Sequence, residues 1–219
     1  MAKHVMERFF LLMQSILFRR IANSFPTNAF KQLMDRLFII VEKIGSKLQI
    51  FSELYLDMYK EIVSEEIRMA SISIHDRILI IGSGSLPSTA VLFAQKTNAS
   101  VVAIDKDPEA IRASKEYIQQ FSLGHHLEIE CADGFSYPFD GFDVIVVLYG
   151  VKRQSEMIAH LATHVRPNTR VIVRIITDAQ GKILDDRIDL SRYFEIKDQV
   201  RSETLGSITS FFLIKKPLD

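Results

Sequence analysis

The sequence predicts an α/β fold built on a doubly wound, mostly parallel sheet of seven strands, and three observations carry that prediction. Strand-like apolar runs at 77–81, 101–105, 127–131, 142–148 and 169–176 alternate with helical patterns at about 86–97, 108–121 and 152–164. Strands that alternate with helices pair in parallel, because each crossover helix returns the chain to the same end of the sheet. The first strand, Arg77-Ile78-Leu79-Ile80-Ile81, runs directly into a glycine turn, Gly82-Ser83-Gly84-Ser85-Leu86-Pro87. Finally, the tail holds two strand patterns, at 193–200 and 207–215, joined by a link too short for a helix, so those two are expected to pair antiparallel.

The elements before residue 76 read differently. Residues 1 to about 70 contain no strand pattern, and apolar residues recur there at helical spacing: Phe30, Leu33, Met34, Leu37, Phe38, Val41 and Ile44, then Phe51, Leu54, Tyr55, Met58 and Ile62. Two to four helices are expected. Phe25-Pro26-Thr27-Asn28 is a break with Thr27 or Asn28 as the cap of the following helix, and Gly45-Ser46 is a second candidate break. The border at 70/71 therefore divides a helical region, suited to lid, substrate or dimer contacts, from a nucleotide-binding unit at 71–219. The apolar run Phe9-Phe10-Leu11-Leu12-Met13 is interrupted by Gln14-Ser15 and closed by Arg19-Arg20. That is too short to span a bilayer and wrongly flanked for a secretion signal, so an amphipathic helix facing the core, a partner or a membrane surface is expected.

Composition narrows the partners. The 219 residues carry 27 basic and 27 acidic side chains, so no long-range field favours nucleic acid or an anionic membrane. The lone Cys131 excludes a disulfide framework, suits a cytoplasmic chain, and is expected to be a small core residue.

The chemistry concentrates around the glycine turn. Gly82 and Gly84 can adopt backbone angles closed to other residues and let the chain approach a ligand without a Cβ in the way. The helix that follows offers free N–H groups to the crevice. The second strand, Val101-Val102-Ala103-Ile104-Asp105, ends in an acid that can accept from both hydroxyls of a ribose. The alternative role for Asp105 is a cap for the helix at Pro108-Glu109. Together these form the front half of a Rossmann-type nucleoside unit. Three details turn it away from nicotinamide. Pro87 replaces the third glycine and belongs in the first turn of a helix, where its missing N–H costs nothing. Asp133 follows the third strand in Cys131-Ala132-Asp133-Gly134-Phe135, placed to accept from an adenine amino group while Phe135 packs on the ring. The tail ends antiparallel rather than in further parallel units.

That combination resembles the class I S-adenosylmethionine-dependent methyltransferase superfamily across about residues 70–219. The resemblance implies S-adenosylmethionine as cofactor. It carries cofactor-binding roles onto Gly82, Ser83, Gly84, Leu86, Pro87, Asp105, Lys106, Asp133, Gly134, Phe135 and Tyr149, the last at the substrate-facing end of the fourth strand. A closer resemblance is to the nicotianamine synthases. Their Gly-Ser-Gly-Pro-Leu-Pro-Leu-Thr turn is similar to Gly82-Ser83-Gly84-Ser85-Leu86-Pro87-Ser88-Thr89, and their His-Leu-x-x-His helix end to His160-Leu161-Ala162-Thr163-His164. Their Val-Val-Arg strand with its glycine loop is similar to Val171-Ile172-Val173-Arg174 and Gly181, and their last strand to Ser207-Ile208-Thr209-Ser210. Ser85 stands in place of a proline, Arg174-Ile175-Ile176-Thr177-Asp178-Ala179-Gln180-Gly181 departs from the family's Arg-Ser-Ala-His-Gly, and the helical region is short.

The closer resemblance implies transfer of the aminocarboxypropyl arm, not the methyl, to an amine or amino acid, with release of methylthioadenosine. It draws a catalytic tyrosine and glutamate from the helix before the sheet, where Tyr55, Tyr59, Glu61, Glu65 and Glu66 are the candidates. Tyr59, Glu65 and Tyr149 are the expected catalytic set. Three readings stay open: this transfer, methyl transfer to a small molecule from the same site, and a non-catalytic nucleoside-binding module that dimerises through its N-terminal helices. No metal site is expected. His125-His126 lack a third ligand, and His160 and His164 lack an acid, so a role at the end of its helix is expected for His164.

Overall fold

The computed structural model describes residues 49–119, 121 and 126–216. The apolar run at 9–18, the break at 25–28, Gly45-Ser46 and His125 lie outside the described residues. The described chain opens on helix α1 (Gln49–Met69) and continues β1 (Arg77–Ile81), α2 (Ser88–Thr97), β2 (Ser100–Asp105), α3 (Pro108–Ile118), β3 (Leu127–Cys131), β4 (Val144–Val147), α4 (Gln154–His164) and β5 (Arg170–Ile176). A short 3-10 turn at Leu190–Arg192 leads to the hairpin of β6 (Phe194–Arg201) and β7 (Ile208–Lys215). The strands form one seven-stranded sheet in the order β3-β2-β1-β4-β5-β7-β6. The pairs β1–β2, β1–β4, β2–β3 and β4–β5 are parallel, while β7 runs antiparallel to both β5 and β6.

The central strands are apolar along their whole length because both faces are covered. Alternate residues divide between two cores. Ile78, Ile80, Val101, Ala103, Val144, Val146 and Ile172 pack under α1, α2 and α3, with Ile62, Val63 and Phe93 among the helical partners. Leu79, Ile81, Val102, Ile104, Ile145, Val147, Val171 and Val173 face Met157, Ile158 and Leu161 of α4 and the aromatics Phe139, Phe142 and Phe194. Each fully buried aliphatic side chain of this kind contributes about 1.5–3 kcal/mol of transfer free energy, so the two-sided burial is what holds the parallel strands together. Helix α1 shares the first core with the sheet, so the compositional border at 70/71 is not a gap in packing.

Several elements are shorter than their sequence patterns. β4 starts at Val144, because Phe142 N–H is held by Phe139 O in a turn, and it ends before Leu148, whose N–H still bonds Ile81 O. The cap of α3 is Asp107, which accepts from Glu109 N–H at 2.9 Å, and not Asp105. Pro87 sits one position outside α2 rather than within its first turn. Cys131 is exposed and not a core residue, because it lies at the outward-facing end of the edge strand β3.

The topology creates one crevice. Strand order reverses between β1 and β4, so their following connections leave in opposite directions and open a gap beyond the strands' carboxyl ends. The parallel registers Ile81↔Ile104, Ile81↔Val147 and Asp105↔Cys131 bring the loops after β1, β2, β3 and β4 to that same end.

Candidate functional site

The glycine turn forms the floor of the crevice. Gly82 has φ of 85°, and a Cβ added there would lie 2.6 Å from Val151 Cγ2, so both angle and space require glycine. Gly82 and Ser83 donate their N–H groups to Ile104 O at 2.9 and 3.1 Å, which ties the turn to β2. Gly84, with φ of 66°, donates its N–H to Asp105 Oδ2 at 2.9 Å. Asp105 Oδ1 accepts from Asp107 N–H at 3.0 Å. The carboxylate is therefore oriented by one backbone donor on each oxygen, and each oxygen keeps a lone pair for a ligand. The N-terminus of α2 has no side-chain cap, and Pro87, Thr89 and Ala90 line the crevice beside it. Ser83 Oγ is buried with no hydrogen-bond partner among the described residues.

A second wall comes from the loop after β3. Asp133 Oδ1 accepts from Phe135 N–H at 3.0 Å, and its carbonyl accepts from Ser136 and Tyr137 N–H at 3.0 and 3.1 Å. Gly134 sits where a Cβ would be 2.8 Å from Ile81 Cγ2 and 3.0 Å from Met157 Cε, so glycine lets this loop press against the sheet. The Phe135 ring lies 5.4 Å from that of His160 and carries the Arg153 guanidinium at 5.0 Å. Burial, with a further contribution from His164, lowers the pKa of His160 below its ordinary value. His164 Nδ1 lies 2.8 Å from His160 O, a contact at the last turn of α4.

The third wall is aromatic. Tyr55 and Tyr59 stand one turn apart on α1, both buried, with hydroxyls 3.4 Å apart. Tyr59 also places its hydroxyl 3.4 Å from that of Tyr149, in the loop after β4. Beneath them lies a buried charge pair. Arg174 donates from Nε and Nη2 to the two carboxylate oxygens of Glu66, each at 2.7 Å, and from Nη1 to Thr89 Oγ1 at 2.8 Å. Glu66 also accepts from Ser210 Oγ. Both charged side chains are fully buried. Burial alone would lower the Arg174 pKa, but the Glu66 charge and its hydrogen bonds outweigh that and raise it.

The cleft enclosed by these walls has a volume of about 290 Å³. Gly82, Ser83, Gly84, Leu86, Pro87, Asp105, Lys106, Asp133, Gly134, Phe135, Tyr59 and Tyr149 line it. Glu65 does not. Its carboxylate turns outward and accepts from Arg68 Nε at 2.7 Å, because position 65 falls on the solvent side of α1. Glu61 also points away, accepting from Glu203 N–H at 3.2 Å. Glu66 faces inward but is committed to Arg174. Among the residues that sequence reasoning left out of the site are Arg174, Thr89, Val151 and Lys152. A lone arginine inside the apolar strand Val171-Ile172-Val173-Arg174-Ile175-Ile176 was the available signal, since a buried charge needs a partner.

Residues 36–217, most of the chain, match the family model described as nicotianamine synthase protein. The chain belongs to the nicotianamine synthase family. Solved structures of that family share its fold. MtNAS in complex with methylthioadenosine and tNA superposes with a TM-score of 0.70 at 20% identity, covering 84% of this chain and 72% of that one. A mutant of MtNAS in complex with S-adenosylmethionine gives 0.72 at 19% identity, over 83% of this chain and 74% of that one. Among curated relatives, the L-histidine 2-aminobutanoyltransferase of Yersinia pestis is 28% identical over 121 residues, 55% of this chain and 45% of that protein. A probable cobalt-precorrin-6B C(15)-methyltransferase of Thermoplasma volcanium is 26% identical over 133 residues, 57% of this chain and 64% of that protein. The chain thus spans about half the length of the first of these relatives.

For a member of this family the cleft offers a distinct set of chemical capacities. Asp105 and Asp133 supply acceptors at two sides, Ser83 a buried hydroxyl, Phe135 and Leu86 apolar surface, and Tyr59 and Tyr149 hydroxyls that can pass or take a proton. Among the described residues no group of three or more His, Cys, Asp or Glu side chains could hold a metal ion. No helix among them is long and apolar enough to cross a membrane.

Proposed function

We propose that this chain is an S-adenosylmethionine-dependent transferase that moves the aminocarboxypropyl group onto the nitrogen of a small amine or amino acid. The observation that carries the reading is the meeting of an oriented ribose acceptor, Asp105, with a pair of tyrosine hydroxyls across one cleft. The family model and the transferase relatives support it. The donor set suits the cofactor. Asp105 keeps lone pairs for the ribose hydroxyls, Asp133 and Phe135 suit an adenine amino group and ring, and Ser83 Oγ lacks any other partner among the described residues. Lys106 and the turn Gly82-Ser83-Gly84 with Leu86 and Pro87 complete that surface.

When bound, S-adenosylmethionine supplies a carbon electrophile activated by its sulfonium, and methylthioadenosine is the leaving group. The chain's own residues align the acceptor nitrogen in line with the carbon–sulfur bond and relay the proton that this nitrogen sheds through their hydroxyls to solvent. Tyr59 and Tyr149 are the groups placed for that proton, with Tyr55 next in line at 3.4 Å. Glu65 takes no part in this reading, because it faces solvent. Replacing Tyr59 by Phe should leave cofactor affinity unchanged and slow turnover; equal rates for the two proteins would remove Tyr59 from the chemistry.

Methyl transfer from the same site is the second reading, favoured by the match to a methyltransferase over more than half of this chain. Product analysis separates the two. Incubation with S-adenosylmethionine and a panel of amines and amino acids should release methylthioadenosine under the first reading and S-adenosylhomocysteine under the second. Absence of S-adenosylmethionine binding in calorimetry would sink both and leave the non-catalytic nucleoside-binding or assembly module, dimerising through its N-terminal helices, as the surviving reading. Balanced charge and the lone Cys131 support a cytoplasmic setting without nucleic-acid partners.

A further inference from the structure

We propose that Arg174 is a positioning residue that sets the contact between the Tyr59 and Tyr149 hydroxyls. Residue 174 holds both tyrosines' supporting elements at once. Its guanidinium lies 5.3 Å from the centroid of the Tyr59 ring and grips Glu66, seven residues further along α1. Positions 55, 59, 62 and 66 recur on one face of that helix, so fixing Glu66 fixes the rotation and height at which Tyr55 and Tyr59 meet the cleft. The same residue's carbonyl accepts from Gln154 Nε2 at 2.8 Å, and that amide nitrogen also lies 3.4 Å from Leu148 O. Leu148 directly precedes Tyr149. Gln154 is buried at the start of α4, so the loop that carries Tyr149 is pinned to the Arg174 backbone.

Two further contacts make the hub rigid. Thr89 Oγ1 accepts from Nη1 and so ties α2, whose start carries the end of the glycine turn, to the same side chain. Ser210 on β7 donates to Glu66 and fixes the carboxylate from the far side. The charged and titratable groups that face the Tyr59 hydroxyl are thus Tyr55 on its own helix, Tyr149 from the β4 loop, and Arg174 from β5 with Glu66 behind it. A bidentate fork between two fully buried groups has one geometry, which a lysine's single charged point does not reproduce. Arg174 lines the cleft but acts here through the tyrosines, so its loss should lower turnover far more than it loosens the cofactor. This inference rests on the proposed transferase reading.

A double-mutant cycle on the full chain tests it. Arg174→Lys keeps a cation beside Glu66 but loses the fork. It is expected to lower kcat roughly ten- to hundred-fold while the S-adenosylmethionine Kd stays within about two-fold. In a Tyr59→Phe background the same change should have little further effect on kcat, because the group through which it acts is gone. Multiplying losses in the double variant, or an unchanged kcat in Arg174→Lys alone, would overturn the proposal. Gln154→Met, which leaves the ion pair intact, should reproduce part of the loss by releasing the Tyr149 loop. A second measurement does not need turnover. The chain has 6 tyrosines and no tryptophan, so its near-ultraviolet circular dichroism between the phenylalanine and tryptophan regions reports tyrosine packing. Arg174→Lys should change that band, and should change it less once Tyr59 is Phe, because only Tyr55 on that helix then reports the shift; an identical change in both backgrounds would sink the hub even if no acceptor is ever turned over.

Discussion

Asp105 carries more than a ligand's hydroxyls, since its two oxygens already hold Gly84 and Asp107 N–H. Asp105→Ala should therefore weaken S-adenosylmethionine binding by ~1–3 kcal/mol in calorimetry, the cost of unpaired ribose hydroxyls, and also loosen the turn. Asp105→Asn, which keeps one acceptor oxygen, should lose less. Gly82 is the more severe position. Alanine at φ of 85° costs about 1–2 kcal/mol from backbone conformation alone. Its methyl would also overlap Val151 Cγ2, so Gly82→Ala should lower the melting temperature as well as cofactor affinity. An unchanged melt would mean that the turn shifts freely. Asp105 and Gly82 were legible in sequence because each is fixed by its place along the chain, at the end of a strand or just after one. Glu65 and Glu66 were not separable in that way. Adjacent positions on a helix point about 100° apart, and only the burial of α1 decides which of the two faces Arg174 and which faces Arg68.

The strands and helices followed their patterns closely, with ends displaced by one to three residues where turn hydrogen bonds took over. Alternation of apolar residues on both faces of β1, β2, β4 and β5 could only be satisfied by covering the sheet twice, which is why the doubly wound class was readable. Helix α4 illustrates what was hidden. The spacing of His160 and His164 pointed only to a metal pair without an acid, yet His160 packs on Phe135 and Phe139, and burial lowers its pKa. The sign of the pH effect follows. The unfolded chain takes up this proton at the ordinary value of 6.5, before the folded protein does. Stability is thus full above that value and falls as pH drops through it toward the lowered folded value. Denaturant titrations at descending pH should show this loss, and His160→Gln should flatten it; an identical slope would assign the effect to other groups.

Across the whole molecule, α1, α2, β5 and β7 converge on one buried ion pair. Removing one partner leaves the other charge in a dry interior, so Glu66→Ala should cost about 3–5 kcal/mol in chemical denaturation. The double replacement Glu66→Leu with Arg174→Met removes both charges and should recover most of that loss, while the transferase activity stays low. A double variant as unstable as the single one would show that the shape of the network, not its charge, holds α1 to the sheet. The same convergence ties helix α1 to the sheet: its Tyr59, Ile62 and Val63 belong to the sheet's own core, and its Glu66 is buried beside them.

Local rules written along the chain were enough to set the alternation of strands and helices, the glycine turn, the acids after β2 and β3, and the antiparallel tail. Those features depend on residue type and spacing within a few turns of chain. Tertiary structure alone decided which glutamate of α1 is buried, where the Cys131 side chain lies, and that Arg174 meets Glu66 across 108 residues of sequence. Helix phase against the sheet and pairings between distant segments are set by how whole faces fit together, and no local spacing encodes that fit.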